Sequence, residues 1–154
     1  MRLLKLLLVL CVCAAGPAVA GPWEDGKAAA ERGDYATAMR LIRPFAEQGN
    51  AHAQFILGFM YRNGQGVPQD YATAVSWYRK AAERGDANAQ NSLGYMYDHG
   101  HGVPIDYVLA YMWSNLAAAQ NNALAIKNRD IIAAKMTPAQ IAEAQRLARE
   151  WKPK

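Results

Sequence analysis

The chain has 154 residues, 17 Lys and Arg against 13 Asp and Glu, and two cysteines, Cys11 and Cys13. Arg2 and Lys5 belong to an N-terminal leader, so the formal charge of +4 falls to +2 without it, a balance that favours neither a nucleic-acid nor an anionic-membrane partner. The remaining stretch of about 134 residues has no cysteine, which excludes a disulfide framework and a thiolate metal site and leaves packing of one continuous core as its source of stability.

Residues 1–20 read as an export signal. Arg2 and Lys5 supply positive charge, an apolar run extends to Ala15, and Ala18-Val19-Ala20 is a small-x-small cleavage site before Gly21. The run is shorter than the roughly 20 residues a transmembrane helix needs and is broken by Gly16-Pro17. Leu10 before Cys11 and Val12 before Cys13 do not fit a lipid-attachment site. The expected product is therefore exported, periplasmic or secreted, after cleavage near Ala20-Gly21, without stable membrane insertion.

Residues 21–49 form an N-terminal helical segment. An Ala-rich, helix-permissive stretch from Pro22 to Arg32 is stopped by Gly33; Asp34 then offers an N-cap acceptor to a helix running from Tyr35 to Gln48, with Gly49 at the stop. Pro44 lies inside that run, where its ring removes a donor and clashes with the carbonyl four residues back, so a kink near Arg40 to Pro44 or an early end is expected.

A tandem repeat follows. Residues 50–85 and 86–121 align without a gap, with 17 of 36 positions identical. In each copy an A helix (Ala51 to Arg62, Ala87 to Asp98) is capped by Asn50 or Asp86 and carries a mid-helix glycine, Gly58 or Gly94. Glycine costs about 1 kcal/mol there relative to alanine, so its repetition implies close approach of a neighbouring backbone, expected at the small residues Ala74 and Ala81 or Ala110 and Ala117. The loops Gly64-Gln65-Gly66-Val67-Pro68 and Gly100-His101-Gly102-Val103-Pro104 end the A helices, and Asp70 and Asp106 cap B helices, Tyr71 to Arg84 and Tyr107 to Gln120. Asp34-Tyr35, Ala38, Ala46, Glu47 and Gly49 are a partial third copy upstream.

Residues 122–154 form a C-terminal cap. Asn122 to Met136 makes an A-like helix without the glycine, and Thr137-Pro138-Ala139-Gln140 opens a last helix with a capping box and a Met136–Ile141 staple. Ile141, Ala144, Leu147, Ala148 and Trp151 line one face of it, with Glu143, Arg146 and Arg149 on the other.

The pattern Ala-x-Ala-Gln-x-x-Leu-Gly-x-Met-Tyr, Gly-x-Gly-Val-Pro-x-Asp-Tyr, then Ala-x-x-Trp and Ala-Ala, resembles the Sel-one-like repeat family, a relative of the tetratricopeptide repeats, and residues 136–151 resemble the cap of its bacterial exported members. The resemblance implies an all-α, right-handed superhelical solenoid of stacked antiparallel helix pairs used for protein–protein contact. It also implies that the A helices line a concave groove. Some secreted members staple their helix pairs with disulfides, which this chain cannot do beyond Cys13.

No chemistry-bearing constellation competes with that reading. His99 and His101 are the only clustered metal ligands, with Asp98 nearest, but the preceding repeat has Asn63 and Gln65 there, so a solvated loop and no metal are expected. The Gly-x-Gly loops follow helices rather than strands, unlike a phosphate cradle, and Ser76, Ser92 and Ser114 lie in helices without an evident base. Asp34, Asp70 and Asp106 read as caps, and Trp77, Trp113, Tyr61 and Tyr97 as core. No catalytic residue, cofactor or enzymatic activity is expected.

Function is expected where the repeats differ on a fixed frame. On the A helices that stripe is His52, Phe55, Phe59 and Arg62, answered by Asn88, Asn91, Tyr95 and Asp98; the competing reading is that Phe59 and Tyr95 only pack between repeats. The expected function is a non-catalytic scaffold or adaptor of the cell envelope that holds a peptide or protein on this groove. The alternatives are a cell-wall protein or enzyme linked to peptidoglycan or beta-lactam chemistry, as some family members are, and a regulator of a membrane sensor or secretion system.

Overall fold

A computed structural model describes residues 21–154; the proposed leader and its cleavage site up to Ala20 lie outside the described residues. Eight α-helices and no strand occur among those described: α1 (Pro22–Glu31), α2 (Tyr35–Glu47), α3 (Ala51–Asn63), α4 (Tyr71–Glu83), α5 (Ala87–His99), α6 (Tyr107–Ala119), α7 (Ala123–Ala133) and α8 (Pro138–Glu150). Helices consecutive in sequence pack on one another from α1 to α7, and α8 lies on α6. The result is a solenoid of stacked helix pairs.

Local chemistry sets the boundaries. Asp34, Asn50, Asp70, Asp86, Asp106 and Asn122 each accept a hydrogen bond from the backbone N–H three residues on, satisfying a donor the helix would otherwise leave unpaired. Gly64 and Gly100 end α3 and α5 in the left-handed region, at φ 66° and 67°. The expected capping box at Thr137 and Gln140 is present, with Pro138 at the start of α8. Pro44 does not end its helix early: α2 runs through it to Glu47. The proline falls in the last turn, and Phe45 beside it packs edge-on against Trp23 of α1 at 5.4 Å, so tertiary contact holds the turn.

Packing repeats with the sequence. A Cβ built on Gly58 would meet the ring of Tyr78 at 2.5 Å, and one on Gly94 would meet Ser114 Oγ at 2.5 Å and the Ala110 carbonyl oxygen at 2.9 Å. Both glycines are closely approached, but the backbone expected there comes near only at Gly94; at Gly58 the nearest neighbour is the Tyr78 ring, at the same B-helix register position as Ser114, and of the alanines named only Ala110 is among the nearest neighbours. Gly26 of α1 faces Ile42 in the same way at 2.9 Å, and Ile42, Tyr78 and Ser114 are 36 residues apart. The N-terminal segment is thus a third helix pair, with a connection four residues shorter than its successors.

Seams between pairs repeat as well. Arg43 donates to Tyr61 Oη at 3.0 Å, and Arg79 to Tyr97 Oη at 2.7 Å. The buried carboxamide of Gln54 donates to the Ala46 carbonyl, and that of Gln90 to the Ala82 carbonyl. Gly66 and Gly102, at φ 71°, press their loops onto the backbone of Tyr35 and Tyr71, where a Cβ would stand 2.7 and 2.5 Å from a carbonyl carbon. The apolar core follows these seams. One cluster joins α1 to α3, and a larger one runs from α4 to α8, where Trp113 meets Trp151 edge to face.

Candidate functional site

The A helices α3 and α5 bring their variable stripes side by side, and α7 adds a third. The caps Asn50, Asp86 and Asn122 start these helices in one register, and Ala51, Ala87 and Ala123 begin them. At that spacing Leu124 follows His52 and Asn88, and Ile131 follows Phe59 and Tyr95. Phe59, Leu124 and Ile131 are exposed at 42%, 59% and 47%, which is far more than a packed apolar side chain shows.

Six of the eight expected groove residues, Phe55, Phe59, Arg62, Asn88, Asn91 and Tyr95, line one cleft of about 410 Å³ together with Ser92, Asn122, Leu124 and Asn128. Arg62 lies over the Tyr95 ring, 4.4 Å from its centroid, so its charge is held against an aromatic face. Asn122 donates to Asn88 Oδ1 at 3.0 Å and Asn128 to Asn91 Oδ1 at 2.9 Å, which ties α7 to α5 along the cleft floor. Tyr78 lies beneath, its ring 6.0 Å from Phe55; its hydroxyl is buried, and that burial raises its pKa above the ordinary phenol value while the Arg62 charge opposes the shift.

The other two expected residues stand apart. His52 lies on the opposite side of Phe55, between Phe55 and Trp23 at ring separations of 6.2 and 5.8 Å. Asp98 is 8% exposed, and its two carboxylate oxygens accept from Lys135 at 2.7 and 2.9 Å, so it fastens the end of α7 to α5. A smaller cavity of about 200 Å³ opens beside it, sharing Tyr95 and Asn128 with the main cleft.

The α7 contribution, Asn122, Leu124 and Asn128, is what sequence reasoning missed. The signal was present, since the alanines at 51, 87 and 123 and at 53, 89 and 125 carry the 36-residue register one step further. It was masked by Asn121, which takes φ 62° where Gly49 and Gly85 stand, and by the missing mid-helix glycine.

A second cleft of about 520 Å³ lies between α2, α3 and α4, lined by Trp77, Lys80, Glu83, Arg84, Gln54 and Lys154 among others. In the following repeat Gln120 fills the equivalent place, donating to Gln90 Oε1 at 2.9 Å and to the Gly85 carbonyl at 3.0 Å. Arg84 occupies that position in the first repeat, and the buried Gln54 Oε1 has no hydrogen-bond partner.

Clearly shifted carboxyls lie outside both clefts. Hydrogen bonds from Thr37 and Thr73 hold Asp34 and Asp70 below the ordinary carboxylate value, and Arg146 does the same for Glu143 on α8. Among the described residues no group of three or more His, Cys, Asp or Glu side chains is placed to hold a metal ion. No helix among them is long and apolar enough to cross a membrane.

Stacked hairpins with an exposed, variable A-helix face define a helical-repeat protein. The repeat itself is then identified: residues 51–86 and 87–122 each match the family described as the Sel1 repeat, so the chain carries two tandem Sel1 repeats. Two solved structures are similar. One is a protective antigen of uropathogenic Escherichia coli strains with an SLR fold, at TM-score 0.80 and 34% identity over 84% of this chain and 29% of that one. The other is a Sel1 repeat protein from Oxalobacter formigenes, at TM-score 0.70 and 30% identity over 84% of this chain and 56% of that one. The chain spans less than two thirds of the length of either. No curated protein matches it. Repeats of this class generally mediate protein–protein contact.

Proposed function

We propose that the protein is a non-catalytic adaptor of the cell envelope that holds an extended segment of a partner protein in the α3–α5–α7 cleft. The observation that carries this reading is the chemistry of the lining. Phe55, Phe59, Tyr95 and Leu124 offer apolar surface, and Asn88, Asn91, Asn122 and Asn128 offer carboxamides, with Arg62 the one charged group. Asn91 Oδ1 is used by Asn128, which leaves the Asn91 NH2 as a donor and the Asn128 oxygen as an acceptor beside it, the complement of a main-chain amide. An apolar trough with paired amide donors and acceptors suits a polypeptide better than a small charged substrate. The leader at residues 1–20 supports the envelope location.

A photoreactive phenylalanine analogue at Phe59 or Leu124, in cells that make the protein, tests the proposal. Both side chains are exposed, so the fold tolerates the exchange. The expected result is one crosslinked polypeptide from either position and none from Ser76, exposed on α4. Equal crosslinking at all three positions, or none at any, overturns it.

A further inference from the structure

We propose that His99 and His101 form a bidentate site for a divalent transition-metal ion, binding Cu2+ more tightly than Zn2+. The two ring centroids are 5.6 Å apart with planes inclined at 37°. With metal–nitrogen bonds of about 2.0 to 2.1 Å, two imidazoles on one ion hold their centroids about 4.5 to 6.5 Å apart as the nitrogen–metal–nitrogen angle opens, so the rings already stand within chelating range.

Each ring is fixed before any ion arrives. His99, the last residue of α5, stacks on Tyr95 at 3.9 Å, and His101 lies parallel to Tyr71 at 4.5 Å and 4°. The loop between them is pinned by the Gly100 cap, by His101 N–H donating to the Met96 carbonyl, and by Gly102 against the Tyr71 backbone. Preorganisation of this kind removes the ordering cost that weakens a two-ligand chelate.

The protonation pattern of His99 is set by its neighbours. Its Nδ1 lies 3.0 Å from the Tyr95 carbonyl oxygen and 3.3 Å from Asp98 Oδ2, both acceptors, so the N–H sits on Nδ1 and the Nε2 lone pair is free. A backbone carbonyl and a carboxylate on the far nitrogen orient a metal-binding imidazole. Asp98 is itself held by Lys135, which makes it a supporting group rather than a third ligand. Two nitrogen donors leave the remaining positions open to water or to an oxygen of another molecule, and at such a nitrogen and oxygen site Cu2+ heads the divalent affinity order, ahead of Zn2+. The preceding repeat has Asn63 and Gln65 in the same loop, so the capacity belongs to the second repeat alone.

The test titrates CuCl2, and separately ZnCl2, into residues 21–154, which carry the eight described helices, followed by calorimetry and electron paramagnetic resonance. The expected result is one Cu2+ per chain at micromolar affinity with nitrogen coupling in the spectrum, weaker Zn2+ binding, and a loss of about tenfold or more for His99→Asn or His101→Gln alone. The two changes together write the loop residues of the preceding repeat into the second, and should abolish binding with the helix content unchanged. In the unaltered protein, Cu2+ should broaden the nuclear resonances of Tyr95, His99 and His101 before those of His52. No saturable binding at tens of micromolar Cu2+, undiminished binding by the double variant, or first broadening at His52 overturns the proposal.

Discussion

Gly58 lies directly beneath the ring of Tyr78, so that a Cβ added to the glycine would stand 2.5 Å from Cδ1 and 2.7 Å from Cε1. Tyr78 is fully buried and cannot swing aside. Gly58→Ala should therefore destabilise the protein by about 1 to 3 kcal/mol despite the better helix propensity of alanine. In a Tyr78→Ala background the same change should become neutral or stabilising. Urea denaturation of the four proteins in this cycle reads the inversion, and an equal effect of Gly58→Ala in both backgrounds would refute the packing account.

The Arg79–Tyr97 bond, 2.7 Å long and part-buried, crosses the seam between consecutive repeats. Tyr97→Phe removes its acceptor while keeping the ring, and should lower stability by about 1 kcal/mol. Arg79→Met in the Tyr97→Phe background should cost little more, because the partner is already gone. Thermal melts of both singles and the double measure the coupling, and additive losses would assign the effect to packing instead.

Asp98 sits in the α5 stripe but acts as a fastener. Its side chain is 6% exposed and that of Lys135 is 38% exposed, so the pair is partly solvated and weaker than a fully buried one. Asp98→Ala should destabilise by about 1 to 2 kcal/mol. Phe59→Asp, at an exposed position, should leave the melting temperature nearly unchanged while abolishing the crosslink from Leu124. Circular dichroism melts and the crosslinking assay separate the two roles; a large stability loss for Phe59→Asp would mean that its ring is packing between repeats.

The caps predict the acid response. Thr73 holds the Asp70 carboxylate below its ordinary value of 3.8 through side-chain and backbone hydrogen bonds. A depressed carboxylate pKa contributes stability that is fully present above the unfolded value and is lost as pH falls through the folded one, so the loss begins near 3.8 and is completed below it. Asp70→Asn keeps a capping side chain but not the titration, and should flatten the fall in denaturation midpoint between neutral pH and pH values below 3.8. An unchanged pH profile would place the acid sensitivity in other groups.

Much of this fold is legible in the sequence because its determinants are local. Asp34, Asn50, Asp70, Asp86, Asp106 and Asn122 each cap a helix within three residues of themselves, and Gly64 and Gly100 end helices by their own backbone conformation. What escapes is register across a change of length. Gly26 plays the part of Gly58, but the shorter connection after α1 sets them 32 rather than 36 residues apart, so an ungapped comparison passes over it. Partners at close approaches escape too: Ala74 and Ala81 look like the natural neighbours of Gly58, yet a large ring, Tyr78, fills the space that the glycine vacates. At the site, the stripe on α3 and α5 is readable from repeat differences, whereas the diversion of Asp98 to Lys135 depends on a residue 37 positions away.

The carboxamides of Gln54 and Gln90 lock the first two seams from inside, but the corresponding residue at the third is Ile126, exposed at 40%. Along the cleft, α7 is tethered to α5 through Asn122, Asn128 and Lys135, in bonds that are exposed or only part-buried. Water competes for the carboxamides at Asn88 and Asn91 that keep this wall in place. Under the proposed function, a polypeptide in the cleft pairs with the amide groups these bonds leave free, and α7 is the wall that yields to its width while the glutamine-locked hairpins keep their shape.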